Sequence, residues 1–376
     1  MKKLRVAILF GGKSGEHEVS IVSALSIYKA LDKTKYEVTL VGLDKTGRWL
    51  LPDQAQMLAQ SDNPRLIALN QAKNTVSLLP FQSDTTIVSV ESSSSKNSST
   101  KFDVILPILH GTYGEDGTVQ GLLELANIPY LGSGVLGSSL CMDKDMAKRI
   151  LRDAGIPIVP FLTVHKHQFK ANAAKIIDDA IRKFGLPFFV KPANMGSSVG
   201  VHKVKTEKDA MTLLKDSFEY DTKVLIEQSI DARELEVAVL GNHDPQPSIV
   251  GEIIPRHEFY SYEAKYIDAE GADLKIPADK LSQEVADRVR NLAVEAFRAL
   301  ECAGLARVDF FLDQKTNKIY LNEVNTIPGF TSISMYPKLW EATGVPYAKL
   351  LDRLIELALE RHGERNALKT TYEPST

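Results

Sequence analysis

The first forty residues contain a strand, a glycine-rich turn, a helix and a second strand, in that order. Apolar residues 4–10 predict a buried strand that ends at Gly11 and Gly12. Residues 19–31 have the periodicity of a helix, and residues 36–43 the pattern of another strand. This β-α-β opening predicts that the chain begins with an α/β domain.

The rest of the chain is long enough for two further domains. Domains usually span about 100–200 residues, and the sequence has 376. Strand and helix patterns predict an N-terminal α/β domain at 1–140, a middle domain at 141–223 and a C-terminal domain at 224–362, followed by a fraying polar tail at 363–376. Residues 83–100 are rich in Ser and poor in apolar side chains, and they predict a mobile insertion.

Composition excludes several classes of protein. Lys and Arg number 45 against 48 Asp and Glu, so no global charge favours nucleic acid or an anionic membrane. No run of about 18 apolar residues predicts a membrane-spanning helix. Cys141 and Cys302 are too far apart in sequence for a C-x-x-C site, and so few cysteines suit a reducing cytoplasm.

Two glycine-rich loops follow predicted strands at the edge where α/β sheets bind ligands. The first resembles a phosphate-binding loop, but Ala7 stands where that pattern requires glycine. It leads to Glu16 at a helix start, where a carboxylate either binds an ammonium or complements the helix dipole. The second loop contains His110, which is either a donor to an anionic substrate or a structural hydrogen-bonding residue.

The middle of the chain carries residues suited to a nucleotide. Lys191 ends an apolar strand and precedes a loop of small residues that can close over phosphates, with Lys144 as a second phosphate contact. Glu227 and Glu234 are acceptors suited to adenine and ribose, and Ile230 is suited to packing on the ring. A solvated acidic strand end remains the alternative for the two glutamates.

The strongest local signal lies in two late strands. Period two places Arg307 with Asp309 on one face, and Glu323 with Asn325 on one face. Three oxygen ligands without a soft ligand predict Mg²⁺ or Mn²⁺, and the arginine can stabilise charge on a transferring group. A structural network of charges is the alternative. The loop 326–335 that follows offers N–H groups and hydroxyls suited to a carboxylate.

Taken in order, these segments resemble the D-alanine–D-alanine ligase family of the ATP-grasp superfamily. The segments are Gly11-Gly12-x-Ser14-x-Glu16-x-Glu18-Val19-Ser20, His110-Gly111-x-x-Gly114-Glu115-Asp116-Gly117, Met142-Asp143-Lys144, Val190-Lys191-Pro192, Gly196-Ser197-Ser198-Val199-Gly200, Glu263-Ala264-Lys265-Tyr266 and Asn322-Glu323-x-Asn325-Thr326-x-Pro328-Gly329. The resemblance spans residues 4–360. It implies a three-domain α/β ATP-grasp ligase with an N-terminal α/β (preATP-grasp) domain, and ATP bound between the middle and C-terminal domains.

The resemblance also implies roles for single residues. The implied catalytic residues are Glu16, Ser197, Tyr266, Arg307 and Ser334. The implied substrate contacts are Glu16, His110, Gly329, Ser334 and Met335. The implied ATP contacts are Lys144, Lys191, Ser197, Glu227, Ile230, Glu234 and Lys265. The implied ligands of two Mg²⁺ or Mn²⁺ ions are Asp309, Glu323 and Asn325.

The activity implied is ATP-dependent joining of two D-alanines through an acyl phosphate, in a homodimer. Composition adds the expectation of a cytoplasmic protein without nucleic-acid or membrane partners. Residues 258–266 are expected to act as a lid that excludes water. Gln228 departs from the basic residue that many members carry beside the adenine.

Three other activities remain open. A D-alanine–D-lactate or D-alanine–D-serine ligase is disfavoured because residues 263–266 resemble the D-alanine form. Another ATP-grasp carboxylate–amine ligase leaves the Glu16 and His110 motifs unexplained. An inactive nucleotide-binding regulator is disfavoured by the intact set of metal ligands.

Overall fold

The computed structural model describes residues 2–51, 75–78, 86–89, 99–256, 272–331 and 333–372. Within these residues, three sheets follow one another along the chain. Lys265, Tyr266 and the expected lid at 258–266 lie outside the described residues. No helix in the described ranges combines the length and apolar character that a membrane crossing requires.

The first sheet has the strand order β6-β5-β4-β3-β2-β1-β7. Its first strand pairs in parallel with β2 and β7, which confirms the β-α-β opening. Helices on this part of the chain complete an α/β unit. The elements are β1 (Leu4–Gly11), α1 (His17–Ala30), β2 (Tyr36–Leu43), β3 (Trp49–Leu50), β4 (Thr75–Leu78), β5 (Thr86–Ser89), β6 (Ser99–Lys101), β7 (Val104–Ile108), α2 (Thr118–Leu125) and α3 (Val135–Met142).

The expected insertion at 83–100 is not entirely loop. β5 and β6 lie within or overlap this segment, and β5 pairs antiparallel with β4 on one side and with β6 on the other. The sequence analysis overlooked the β-branched residues 86–88, which favour a strand even within a polar segment.

The second sheet has the order β10-β9-β11-β8 and is antiparallel throughout. Phe188, Val190 and Phe218 are buried in its core beneath two helices. The elements are α4 (Lys144–Asp153), β8 (Phe161–His165), α5 (Lys166–Phe184), β9 (Phe188–Pro192), β10 (His202–Val204), α6 (Glu207–Tyr220) and β11 (Lys223–Gln228). β11 was expected after the domain boundary at 223, but its hydrogen-bonded neighbours place it in this sheet.

The third sheet has the order β15-β14-β12-β16-β17, with β13 paired to β12. The elements are β12 (Ala232–Gly241), β13 (Gln246–Pro247), β14 (Gly251–Pro255), β15 (Ala272–Lys275), α7 (Gln283–Ala299), β16 (Gly304–Asp313), β17 (Ile319–Asn325), α8 (Met335–Ala342) and α9 (Tyr347–Asn366). α9 extends past residue 363, where the tail was expected to begin.

The first and third units share one hydrophobic core. Phe10 and Ile27 of the first unit belong to the same buried cluster as Tyr336, Leu350 and Leu354 of the last two helices. This continuous core fixes the carboxyl end of β1 against the loop that follows β17. Loops from both ends of the chain therefore meet at one cleft.

Candidate active site

A cleft of about 2050 Å³ lies between the three sheets. Residues from all three units line it, including every described residue that the sequence analysis assigned to a site. These residues are Glu16, His110, Lys144, Lys191, Ser197, Glu227, Ile230, Glu234, Arg307, Asp309, Glu323, Asn325, Gly329, Ser334 and Met335. The fold thus brings together side chains that are more than 300 positions apart in sequence.

A row of carboxylates crosses three neighbouring strands of the third sheet. Glu236 of β12 is in register with Asp309 of β16, and Asp309 is in register with Glu323 of β17. Arg307 lies beside this row: its Nε and Nη2 donate to the two Asp309 oxygens at 2.7 Å each, and its Nε lies 3.0 Å from Glu236 Oε2. These carboxylates raise the pKa of Arg307 far above its ordinary value, against the effect of burial.

The same row offers hard oxygen ligands. Besides the carboxylates of Asp309 and Glu323, it includes the side-chain amide of Asn325, whose Nδ2 donates to Asp309 Oδ2 at 2.9 Å. Lys144 Nζ lies 3.7 Å from Glu323 Oε2. Carboxylate and amide oxygens on a rigid strand pair, with no thiolate or imidazole among them, fit Mg²⁺ or Mn²⁺.

A buried cluster of charges lies on the middle sheet. Glu227 contacts two ammonium groups: Lys191 Nζ at 2.8 Å and Lys148 Nζ at 3.2 Å. Lys191 also donates to Asn322 Oδ1 at 3.2 Å. With two ammoniums and one carboxylate, the cluster carries one excess positive charge.

The pKa values in this cluster follow from burial and pairing. Burial is the largest effect on Lys148 and lowers its pKa. Burial also acts on Glu227 and Lys191, but their partners outweigh it, so the pKa of Glu227 is lowered and that of Lys191 is raised. An anionic ligand in the cleft would balance the excess positive charge beside Lys191.

The small-residue loop after β9 approaches the first unit closely. Ser197 Oγ donates a short hydrogen bond to Glu16 Oε1, so the two predicted partners meet across the cleft. A side chain at Gly196 would place its Cβ 2.7 Å from Glu16 Oε2, and one at Gly111 would place it at 2.8 Å. Glycine at both positions lets backbone approach a carboxylate that is only 8% exposed.

His110 is engaged by the protein at both ring nitrogens. Its Nδ1 lies 3.0 Å from Ile327 O and its Nε2 3.1 Å from Ser23 Oγ. Burial lowers the pKa of His110, although Glu16 and the bond to Ile327 oppose that shift. This geometry leaves no ring nitrogen for a substrate, so it argues against the expected role of His110 as a substrate donor.

Ser334 and Met335 lie where the third unit reaches the cleft. Ser334 precedes α8, which begins at Met335, and its Oγ accepts from Thr331 N at 3.1 Å. Gly329 faces it, since a Cβ at Gly329 would lie 3.3 Å from Ser334 Oγ. A hydroxyl and a helix N-terminus at one point suit a carboxylate.

Comparison with known proteins shows the family of the chain. The family model described as D-ala D-ala ligase N-terminus matches residues 5–133, and the model described as D-ala D-ala ligase C-terminus matches residues 150–356. The chain belongs to the D-alanine–D-alanine ligase family. The resemblance drawn from its motifs is confirmed, and so is the three-domain α/β ATP-grasp fold. Membership implies the use of ATP and a divalent metal ion.

Members of this family resemble the chain over its whole length. The D-alanine–D-alanine ligase of Oceanobacillus iheyensis is 50% identical over 374 residues, 99% of each chain. D-alanine–D-alanine ligase A of Escherichia coli K12 is 50% identical over 372 residues, covering 99% of this chain and 100% of the relative.

Solved structures extend the comparison to the fold. The D-alanine-D-alanine ligase of Coxiella burnetii has a TM-score of 0.84 at 40% identity and covers 97% of both chains. The VanG D-Ala:D-Ser ligase of Enterococcus faecalis has a TM-score of 0.82 at 32% identity, covering 95% of this chain and 100% of that one. Because this fold includes a D-serine ligase, the fold alone does not determine the acceptor.

Three charged residues at this ligase site were missed from the sequence. Lys148 lies four residues after Lys144 on α4, and this spacing places both on one helical face. Glu236 lies two residues after Glu234 on one strand, so both side chains lie on one face of the sheet. The same spacing placed Arg307 with Asp309. The third, Glu115, belongs to a motif used above but was given no role, and its carboxylate lies between two loops, where it accepts from Gly111 N and Ile327 N.

Proposed function

We propose that the chain joins two molecules of D-alanine into D-alanyl-D-alanine, converts ATP to ADP and phosphate, and thereby supplies the dipeptide for peptidoglycan precursors. One observation carries this proposal: the buried Glu16 carboxylate and the row of Arg307, Asp309 and Glu323 face the same cleft. The Glu16 carboxylate can hold an ammonium, and the row can neutralise the charge of a phosphoryl group. An amino acid whose carboxylate is phosphorylated needs both.

ATP is proposed to lie along the positive side of the cleft. Lys144 and Lys191 contact its phosphates, and the excess positive charge beside Lys191 balances them. Glu227 and Glu234 accept hydrogen bonds from the adenine amino group and the ribose, and Ile230 packs on the base. The role of Lys265 follows from the resemblance alone.

The first step transfers the γ-phosphoryl group to the carboxylate of the first D-alanine. Glu16 holds the ammonium of that D-alanine, and Ser197 orients Glu16 through their hydrogen bond. Asp309, Glu323 and Asn325 would hold two Mg²⁺ or Mn²⁺ ions, which neutralise charge on the transferred phosphoryl group. Positioning and charge neutralisation account for most of the rate in such transfers.

The second step forms the peptide bond. The amine of the second D-alanine attacks the acyl carbon, and Arg307 and the Gly329 N–H stabilise the oxyanion before phosphate leaves. Ser334 and the amide end of α8 at Met335 receive the carboxylate of this second molecule. Tyr266 is proposed to join the Glu16–Ser197 pair. A homodimer is proposed from the resemblance, a cytoplasmic location from the two cysteines, and the lack of nucleic-acid or membrane partners from the balanced charge.

The test combines product analysis with one variant. Purified chain, ATP, Mg²⁺ and D-alanine should release phosphate and yield D-alanyl-D-alanine by mass spectrometry, whereas L-alanine should not. With D-lactate and D-serine present in equal amounts, D-alanine should remain the main acceptor. Glu16→Gln should raise the KM for D-alanine at least tenfold and leave the KM for ATP nearly unchanged, since one charged hydrogen bond contributes roughly 1.5–3 kcal/mol. Phosphate release without dipeptide, or a preferred ester product, would overturn the proposal.

A further inference from the structure

The loop 326–331 connects β17 to the start of α8 and carries Gly329. Side chains of the first domain hold its backbone at Ile327. Ile327 N donates to Glu115 Oε1 at 3.1 Å, and Ile327 O lies 3.0 Å from His110 Nδ1. Both polar backbone groups of one residue are therefore bound by a single loop of another domain.

The hydrogen-bond directions at His110 follow from its partners. A carbonyl oxygen only accepts, so Nδ1 carries the proton and donates to Ile327 O. Because the imidazole is buried and its pKa is lowered, it is neutral at pH 7, and Nε2 accepts from Ser23 Oγ at 3.1 Å. Ser23 Oγ also lies 3.5 Å from Phe330 N. The imidazole and the serine thus contact the loop on both sides of Gly329.

The loop of the first domain that carries His110 and Glu115 is itself held in place by hydrogen bonds. The second oxygen of Glu115 accepts from Gly111 N at 2.7 Å. Ser14 Oγ donates to His110 O at 2.7 Å, and Gln120 Nε2 donates to Gly114 O at 2.7 Å. The loop that holds Ile327 therefore cannot shift without breaking several hydrogen bonds that are buried or partly buried.

The held residues flank a free N–H group. Within the described part of the chain, Gly329 N has no hydrogen-bond partner, and the preceding Pro328 has no N–H to offer. We propose that Ser23, His110 and Glu115 are positioning residues: they hold the loop of the third domain so that the Gly329 N–H points at the developing oxyanion.

This inference rests on the proposed function, because the oxyanion belongs to that reaction. The inference goes beyond the proposed function, because it makes the first domain responsible for a contact in the third domain. None of the three positioning residues needs to touch substrate. Their loss should therefore change the rate of the chemical step rather than the affinity for ATP.

The test measures loop protection and kinetics in the same variants. Glu115→Ala removes both acceptors, Glu115→Gln keeps one carbonyl acceptor, and Glu124→Gln is the control. Glu124 is a carboxylate on α2 that contacts Tyr130 and Arg365 instead of the loop. Hydrogen exchange of segment 326–331 is followed by mass spectrometry without substrates, and kcat and KM are measured with D-alanine and ATP.

Glu115→Ala should speed exchange in this segment at least tenfold and lower kcat on the order of 10- to 100-fold, while the KM for ATP changes less than about twofold. Glu115→Gln should lie between Glu115→Ala and the wild type, and Glu124→Gln should match the wild type. If Glu115→Ala fails to fold, Glu115→Gln provides both measurements.

Two outcomes overturn the proposal: a loss of kcat with the segment still protected, or faster exchange with kcat unchanged. A wild-type chain that forms no dipeptide would instead refute the proposed function. The exchange comparison would still decide whether Glu115 holds the loop.

Discussion

Arg307→Met separates the structural role of this arginine from its proposed catalytic role. In the structure, Arg307 donates two hydrogen bonds of 2.7 Å to Asp309 and lies 3.0 Å from Glu236. Methionine fills similar space without charge. The substitution leaves Asp309 and Glu236 as neighbours in register, both at most 9% exposed.

The expected magnitude follows from the charges left behind. Two carboxylates on paired residues about 5 Å apart repel by roughly 3 kcal/mol at an effective dielectric constant of 20. Breaking a buried ion pair typically costs about 3–5 kcal/mol, which corresponds to a fall in melting temperature of roughly 4–6 °C for a chain of 376 residues. Dipeptide synthesis should fall by on the order of 100- to 1,000-fold, as for loss of an oxyanion donor.

The assay is thermal unfolding in EDTA and in Mg²⁺, with Arg5→Met as the matched control. Arg5 also pairs with a carboxylate through two side-chain nitrogens, at 3.1 and 2.6 Å from Asp103, but this pair is about 30% exposed. Removing it should cost only about 0–1 kcal/mol. In EDTA, Arg307→Met should have a lower melting temperature than the wild type and Arg5→Met. Mg²⁺ should restore part of this difference in melting temperature, because it neutralises the carboxylates. A melting temperature within about 2 °C of wild type in EDTA would refute the reasoning.

Three further outcomes are expected. Glu323→Gln should abolish phosphate release at ordinary Mg²⁺ while the far-ultraviolet circular dichroism spectrum stays unchanged; near-normal turnover would refute the metal assignment. Lys148→Met should change thermal stability little, because Glu227 keeps its ion pair with Lys191 at 2.8 Å. The substitution should raise the KM for ATP, because it removes the excess positive charge of the cluster. An unchanged KM for ATP would contradict the proposed role of this charge. Burial and Glu16 raise the pKa of Glu115 from its ordinary 4.5 to about 8. Folding therefore takes up a proton in this range, and melting curves should show the wild type losing stability relative to Glu115→Gln as the pH rises from 5 to 8.

Local patterns in the sequence predicted two carboxylates of the row, Asp309 and Glu323, because strand geometry is local, whereas Glu236 on the neighbouring strand β12 was missed. Period two placed Arg307 with Asp309 and Glu323 with Asn325, and these residues lie on the paired strands β16 and β17. Charged residues on a half-buried strand are costly unless they are paired, which made the pattern informative before any fold was known. The glycines beside Glu16 gave a similar signal at the edge of the first sheet.

Contacts between elements that are distant in the sequence could not be predicted in this way. Nothing local to Lys148 shows that it meets Glu227, which lies on the far strand β11. The sequence leaves two roles open for His110, substrate donor or structural residue, until Ile327 and Ser23 are placed beside it. The sheet membership of β11 was missed for the same reason, because strand pairing depends on the whole chain.

The charges around the cleft give a polarity that no single motif contains. One end holds the buried carboxylate of Glu16, whereas the middle sheet offers Lys191 and one excess positive charge. The row at Asp309 and Glu323 lies on the third sheet, beside the cation Lys144. A ligand pair that fits this polarity carries an ammonium toward Glu16 and phosphates toward Lys191, with a divalent cation at the row. An amino acid and ATP that meet at the amino acid's carboxylate satisfy the requirements of all three regions. Each of the three motifs is ambiguous alone, and its function can be inferred only when the other two motifs are considered with it.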